Sequence, residues 1–151
     1  MLNTISFSYS DKKHTDIAFE IRQKVFVIEQ EVDEREEYDE FEPTSIHYLV
    51  FVNEEPVGTA RWRITENGIK LERFAVLKES RNAKAGRTVL LKVLEDVIPL
   101  EKKIYLNAQV TAMKFYEREG FVAEGEMFME CNIKHFRMRY NPHRITIYPI
   151  E

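Results

Sequence analysis

The run Leu71-Glu72-Arg73-Phe74-Ala75-Val76-Leu77-Lys78-Glu79-Ser80-Arg81-Asn82-Ala83-Lys84-Ala85-Gly86-Arg87-Thr88-Val89-Leu90-Leu91-Lys92-Val93-Leu94 reads as a strand, a tight basic loop and a helix opened by small residues. The first N–H groups of a helix have no partner within it, and the helix dipole adds partial positive charge at the same end. Arg81, Lys84 and Arg87 add full charges to that loop. Together they predict a cradle for a phosphate or pyrophosphate.

Outward from this run, the periodicity defines the neighbouring elements. Asn67-Gly68 signals a two-residue hairpin leading into a strand over Ile69 to Leu77. Leu90, Leu91, Leu94, Val97 and Ile98 form one helical stripe in a helix from Thr88 to Ile98, which Pro99 stops. Upstream, Ile5, Phe7 and Tyr9 alternate as a short strand. Ile17, Ile21, Val25 and Ile28 then recur at helical spacing, from a cap at Thr15 or Asp16 to about Gln30. Strands follow over Ile46 to Val52 and Pro56 to Ile64, with a turn at Asn53-Glu54-Glu55. Downstream come a strand over Lys103 to Gln109, a short helix over Thr111 to Glu119 closed by Gly120, and strands over Val122 to Glu130 and Lys134 to Tyr140 that turn at Cys131-Asn132. The order β-α-β-β-β-α-β-α-β-β predicts an α+β fold. Its mixed central sheet combines an antiparallel meander with a parallel, right-handed β-α-β crossover, flanked by helices.

The chain has 151 residues, 44% hydrophobic and 32% charged, as expected for one soluble globular domain over 1–151. No apolar run approaches the ~20 residues of a membrane span. The start has neither a basic region nor an apolar core of a secretory signal, so the expected location is cytoplasmic. Cys131 is the one cysteine, which excludes an intrachain disulfide and a cysteine zinc site; no metal is expected. A net charge of -4 argues against nucleic-acid binding. The acid is concentrated in Glu29 to Glu42 (EQEVDEREEYDEFE), which reads either as a solvated face or as a rim that attracts a cationic amine. Arg22 is expected to pair with part of it.

A second segment follows the first in the right order: Ala112-Met113-Lys114-Phe115-Tyr116-Glu117-Arg118-Glu119-Gly120-Phe121. The two together resemble the GNAT superfamily of acyl-CoA-dependent N-acetyltransferases. Further motifs resemble its ElaA-like branch. They are Arg22, Val25, Phe26, Val27, Glu29 and Gln30; Arg73 and Val76; Leu106-Asn107-Ala108-Gln109; and Ile133, His135 and Met138. The superfamily's pyrophosphate loop has a glycine where this chain has Lys84. A lysine resists positive φ, so the turn is expected to differ there.

The resemblance implies a GNAT fold in which the strand before the loop splays from the next, and acetyl-CoA inserts between them. It implies that the backbone of Phe74, Ala75 and Val76 pairs with the pantetheine, with the Val76 N–H polarising the thioester carbonyl. Arg81, Asn82, Ala83, Lys84, Ala85, Gly86, Arg87 and Thr88 would then cradle the pyrophosphate, and Asn107 and Gln109 would flank the pantetheine arm. Tyr116 is implied as the acid that protonates the departing thiolate. The acceptor amine must lose a proton first, and Glu72 is the leading base. Strand alternation puts it on the face of Lys70 and Phe74. Glu29 is the rival base, and Glu29, His47, Arg61, Arg73 and His135 are the candidates to line the acceptor site. No histidine–carboxylate partner is spaced to activate Cys131, so direct attack in a ternary complex is expected.

The function so read is transfer of an acetyl group from acetyl-CoA to a small-molecule or peptide amine, with no nucleic acid or membrane partner. Dimers are common in the superfamily, which leaves a homodimer open. A non-catalytic acyl-CoA sensor is the alternative. A nucleotide-binding protein using the Arg81 loop is a third reading, but it lacks the Gly-Lys-Ser/Thr ending of a P-loop.

Overall fold

A computed structural model describes residues 1–141; the last stretch of the single-domain expectation, 142–151, lies outside the described residues. Seven strands form one sheet in the order β1-β2-β3-β4-β5-β7-β6. They are β1 (Leu2–Ser8), β2 (Ile46–Val52), β3 (Glu55–Thr65), β4 (Gly68–Val76), β5 (Ile104–Gln109), β6 (Phe121–Glu130) and β7 (Ile133–Tyr140). Every neighbouring pair is antiparallel except β4 and β5, which are parallel. The helices are α1 (Lys12–Arg22), α2 (Glu34–Glu37), α3 (Ala85–Val97) and α4 (Met113–Arg118). The α+β expectation and the β-α-β crossover through α3 therefore hold. The four-residue α2 has no apolar periodicity and was not legible.

Local chemistry explains the boundaries. Asp11, and not Thr15 or Asp16, caps α1 by accepting from the His14 N–H; the Thr15 hydroxyl is buried and donates to the Tyr9 carbonyl. Past Arg22 the helix widens into a π-helical stretch, Gln23–Glu29, marked by the Gln30 N–H reaching the Val25 carbonyl. Each added residue shifts the buried face, so Val25 and Phe26 go inward while Ile28 is exposed, against its predicted place in the stripe. In α3 the buried stripe runs through Val89, Leu90, Val93, Leu94 and Val97, leaving Leu91 and Ile98 exposed where the sequence had them inside. The β3–β4 loop is Glu66-Asn67, and Gly68 opens β4 at φ +132°. A Cβ at Gly68 would collide with the Lys103 carbonyl, which accepts the Ile69 N–H at 2.7 Å. Cys131 and Asn132 both take positive φ, as a two-residue hairpin requires.

The two faces of the sheet are chemically unlike. On one, α3 packs Val89, Leu90, Val93 and Val97 on Tyr48, Val50, Ile69, Leu71, Leu106 and Met138. On the other, Ala18, Ile21, Val25 and Phe26 meet Phe7, Leu49 and Ala75. Beside this second, smaller cluster lies a buried ionic layer. Arg22 binds Glu37 at 2.7 Å and Glu42 at 2.7 Å, all three almost wholly enclosed. Arg61, with no exposed side-chain surface, holds Asp39 in a fork at 2.7 and 2.9 Å and also meets Glu42 and Glu72. The expected pairing of Arg22 with the acidic segment is thus present, and the segment is no simple solvated face: Glu37 and Glu42 are buried.

Removing one member of such a layer strands the others' charges. Arg61→Ala should lower unfolding free energy by about 3–5 kcal/mol, measured by urea denaturation. Lys12→Ala, which removes an exposed pair with Asp16, should change it by less than about 0.5 kcal/mol.

Candidate active site

The parallel pairing of β4 and β5 covers only Ile69, Lys70 and Leu71 against Ile104, Tyr105 and Leu106. Beyond Leu71 the strands part. The cause is in β4: Arg73 takes a left-handed φ of 58°, and the register with β3 slips between Thr59 and Arg61. Two residues, Arg73 and Phe74, thus oppose one, which is a bulge that bends the strand. From there β4 follows β3, while β5 follows β7 as far as Gln109 opposite His135. The opening between them is a cavity of about 520 Å³.

The bulge also reverses the side-chain alternation. Lys70 and Glu72 lie on the α1 face with the ionic layer, but Phe74 packs on the α3 face, edge-on to Tyr116 at 6.1 Å. The expectation that Glu72 shares a face with Phe74 is therefore corrected: an inserted residue shifts a period-two pattern by one. The Leu77 N–H donates to the Val57 carbonyl of β3, so alternation turns the backbone groups of Val76 the other way, towards the gap. The Val76 carbonyl there accepts from Arg81 Nε at 3.1 Å.

The loop after β4 is a 3₁₀ turn, Lys78–Ala83, and Lys84 then takes φ 66° and ψ 16° to start α3. The expected departure at this turn does not occur, because the lysine adopts the left-handed conformation itself. No side chain caps α3, so the N–H groups of its first turn are unpaired by any cap, and the first helical bond is Thr88 N–H to the Lys84 carbonyl. Arg81 is committed to Glu29 by two bonds of 2.6 Å, and Arg87 pairs with Glu119. Lys84 is exposed and, among the described residues, without an ion-pair partner.

The predicted site residues divide accordingly. Phe74, Ala75, Val76, Arg81, Asn107, Gln109 and Tyr116 line the cavity, as do Glu72, Arg73 and His135. Asn82, Ala83, Lys84, Ala85, Gly86, Arg87 and Thr88 form the loop and helix start beside it without lining it. Three acceptor-site candidates fall elsewhere. His47 is buried, stacks on Phe7 and bonds the Glu42 carbonyl; Arg61 is enclosed among carboxylates; Glu29 is held by Arg81. Glu72 faces Arg61, Arg63 and Lys70 within 3.0 Å, and despite burial these cations hold its carboxyl down at about 2. A carboxylate so stabilised is a poor base. Glu29, also held below its usual range by Arg81, is no better.

Tyr116 is buried, and burial raises its pKa, so the phenol stays protonated. Among the described residues its hydroxyl meets no hydrogen-bond partner, and no fully enclosed side-chain nitrogen or oxygen is unpartnered. The hydroxyl therefore opens on the cavity it lines. Sequence reasoning did not single out Gln30, Glu130 and Cys131 as site residues, yet they also line it, together with Glu36, Glu37 and Asp39 of the acidic run read as a possible rim. Gln30 accepts from Gln109 Nε2 at 2.9 Å across the gap. The Cys131 thiol donates to Glu36 and is pushed up to about 12 by burial and that carboxylate, which disfavours the nucleophilic thiolate. Only the acidic run itself hinted that carboxylates gather here.

A family model described as the acetyltransferase (GNAT) domain matches residues 9–142. YjcF of Bacillus subtilis (strain 168), named as an uncharacterized N-acetyltransferase, is 40% identical over 124 residues, which is 80% of this chain and 88% of that protein. The crystal structure of Escherichia coli ElaA superposes with a TM-score of 0.83 at 25% identity, covering 93% of this chain and 100% of that one. A PaiA N-acetyltransferase from Thermoplasma acidophilum, solved in complex with coenzyme A, has the same fold, with a TM-score of 0.67 at 17% identity over 93% of this chain and 99% of that one. Among the described residues no helix is long and apolar enough to cross a membrane.

Asp39 and Glu72 are both held at about 2, below the ordinary carboxylate values near 4. Their ion pairs therefore stabilise the fold fully above the unfolded values, and that contribution is lost as pH falls through the folded ones. Urea midpoints should be level from about pH 7 to 5 and fall between about pH 4.5 and 2. Asp39→Asn should flatten that fall while lowering stability at pH 7.

Proposed function

The chain belongs to the GNAT family of acetyltransferases, and on that premise we propose that it transfers the acetyl group of acetyl-CoA directly to an amine bound in the same cavity. The observation that carries this reading is the gap between β4 and β5. Its edge offers the N–H of Val76, turned away from β3, its mouth offers the uncapped start of α3, and Tyr116 turns a free hydroxyl into it. The coenzyme A held by the PaiA structure is the ligand class that such a gap suits.

In this reading the pyrophosphate sits on the N–H groups that open α3, where backbone dipoles and Lys84 favour negative charge. Arg81 acts less as a phosphate ligand than as a clasp, since its guanidinium ties Glu29 to the Val76 carbonyl. The pantetheine runs along Phe74, Ala75 and Val76, opposite Asn107 and Gln109, as an added strand. The Val76 N–H donates to the thioester oxygen, where negative charge grows as the amine attacks. Collapse of the tetrahedral adduct breaks the C–S bond and leaves the electron pair on sulfur. Burial keeps the Tyr116 phenol protonated until this step, and the same enclosure disfavours the charged thiolate and raises its basicity above the ordinary value near 8.5, so that sulfur takes the phenol proton. A sensor that only bound acyl-CoA would need the gap and the loop but gains nothing from that unpartnered hydroxyl.

Two measurements test the assignment. Lys84→Glu with Arg87→Glu should weaken acetyl-CoA binding at least tenfold by calorimetry while leaving the melting temperature unchanged; equal affinity would remove the pyrophosphate from this loop. Tyr116→Phe should lower kcat by about 10²-fold with little change in acetyl-CoA affinity. A wild-type kcat under conditions where chemistry limits the rate would exclude the phenol.

A further inference from the structure

The five carboxylates that line the cavity fall into two sets. Glu37 is bonded to Arg22 and Arg73, Asp39 to Arg61 and Arg73, and Glu72 to Arg61, Arg63 and Lys70. Glu36 and Glu130 are different: among the described residues neither is paired with a lysine or an arginine. Both stand beside Cys131, whose thiol donates to Glu36 at 2.8 Å and which follows Glu130 in the chain.

Next to them is His135, more than nine-tenths buried and lining the same cavity. Its Nδ1 lies 2.7 Å from the Ile133 carbonyl. A carbonyl only accepts, so Nδ1 carries the proton, and Nε2 of the neutral ring presents a lone pair. The nearest carboxylate oxygen to Nε2 is one of Glu130 at 3.9 Å, beyond hydrogen-bond distance. Since no fully enclosed nitrogen lacks a partner among the described residues, Nε2 keeps contact with open space, and the space it adjoins is the cavity. The ring is fixed in place by stacking on Phe128 at 5.7 Å and by its register opposite Gln109.

We propose that the acceptor is a cationic primary amine, its ammonium held by Glu36 and Glu130, and that His135 Nε2 takes the proton it must lose before attack. This deepens the acetyl-transfer reading and rests on it. The balance is closed. The ammonium passes one proton to Nε2, and the neutral amine nitrogen bonds to the thioester carbon. The C–S bond breaks with its electron pair on sulfur, which takes the Tyr116 proton. The second proton lost by the nitrogen on amide formation returns to the Tyr116 oxygen. The imidazolium releases its proton to solvent, so the net products are amide, CoA thiol and one proton. The acid needed for the thiolate and the base needed for the ammonium come from opposite faces of the sheet, Tyr116 from α4 and His135 from β7, and the gap is where the two faces communicate.

The test uses the whole chain. His135→Asn keeps a donor for the Ile133 carbonyl while removing the lone pair, so acetyl-CoA affinity and melting temperature should match wild type. With 1,4-diaminobutane and lysine ethyl ester as acceptors, its kcat/KM at pH 7 should fall about 100-fold. The deficit should shrink as pH rises towards 10, because more of the amine is then already neutral. Around His135, Glu130 lies 3.9 Å from Nε2 and Gln109 stands opposite it in the sheet, while Cys131, Glu36 and Arg73 line the same cavity. Glu36→Gln with Glu130→Gln should raise KM for both amines several-fold with acetyl-CoA affinity unchanged. A wild-type rate in His135→Asn, or a deficit equal at every pH, would overturn the proposal. A wild-type protein that binds acetyl-CoA but acetylates neither amine would also overturn it and leave acetyl transfer standing. Failure to bind acetyl-CoA at all would instead defeat the underlying reading.

Discussion

One left-handed residue in the middle of a strand governs this structure. Arg73 adds a residue to β4 that β3 does not match, and the strand bends away from β5 at that point. A non-glycine residue in that conformation costs of order 1 kcal/mol or more, so something must hold it. The holder is its own side chain. The Arg73 guanidinium reaches across to the Glu37 carboxylate and carbonyl and to Asp39, tying the bulge to the segment after α1. The gap, the exposed backbone of Val76 and the switch of side-chain faces all follow from this one tethered distortion.

The tether explains why so much charge is buried on one face of the sheet. Burying ions is seldom a gain in stability over apolar packing, but it fixes geometry, because each charge tolerates few arrangements. Arg22 and Arg61 between them engage Glu37, Asp39, Glu42 and Glu72. These contacts hold a run of chain with little regular structure against the mouth of the cavity. The apolar face under α3 has no such constraint and is packed in the ordinary way, with Leu90 and Val93 wholly enclosed. Stability is concentrated on one face and positional definition on the other.

The cavity inherits both characters. Tyr116 approaches from the aromatic side, edge-on to Phe74, Phe115 and Phe121, where burial keeps its phenol protonated. Carboxylates, Cys131 and His135 approach from the polar side. Carboxylates already saturated by arginine are structural, and only those left without a cation have charge to offer a ligand. This distinction, which depends on partners and not on residue type, moves attention from Glu72 to His135.

The residues themselves determined the order of strands and helices, the parallel crossover and the family, because these rest on period-two and period-3.6 patterns and on local turn chemistry, which the Cys131-Asn132 turn has as read and the β3–β4 hairpin has one residue earlier than read, at Glu66-Asn67. They also determined the basic loop, Tyr116, and the backbone of Phe74 to Val76 as the places to look. They could not show the bulge. Arg73 carries no local signal for a left-handed conformation, and an inserted residue is visible only as a slip against the neighbouring strand; hence alternation alone puts Phe74 on the face of Lys70 and Glu72, where the structure does not have it. The π-helical widening after Arg22 displaced Ile28 for the same reason. Tertiary structure alone decided which acids of Glu29 to Glu42 are buried, that Arg61 and His47 are enclosed, and that Glu29 is engaged with Arg81. Whether a charged side chain is counter-ion or catalyst depends on what lies within about 4 Å of it, and those neighbours come from segments as far apart in the chain as Glu29 and Arg81.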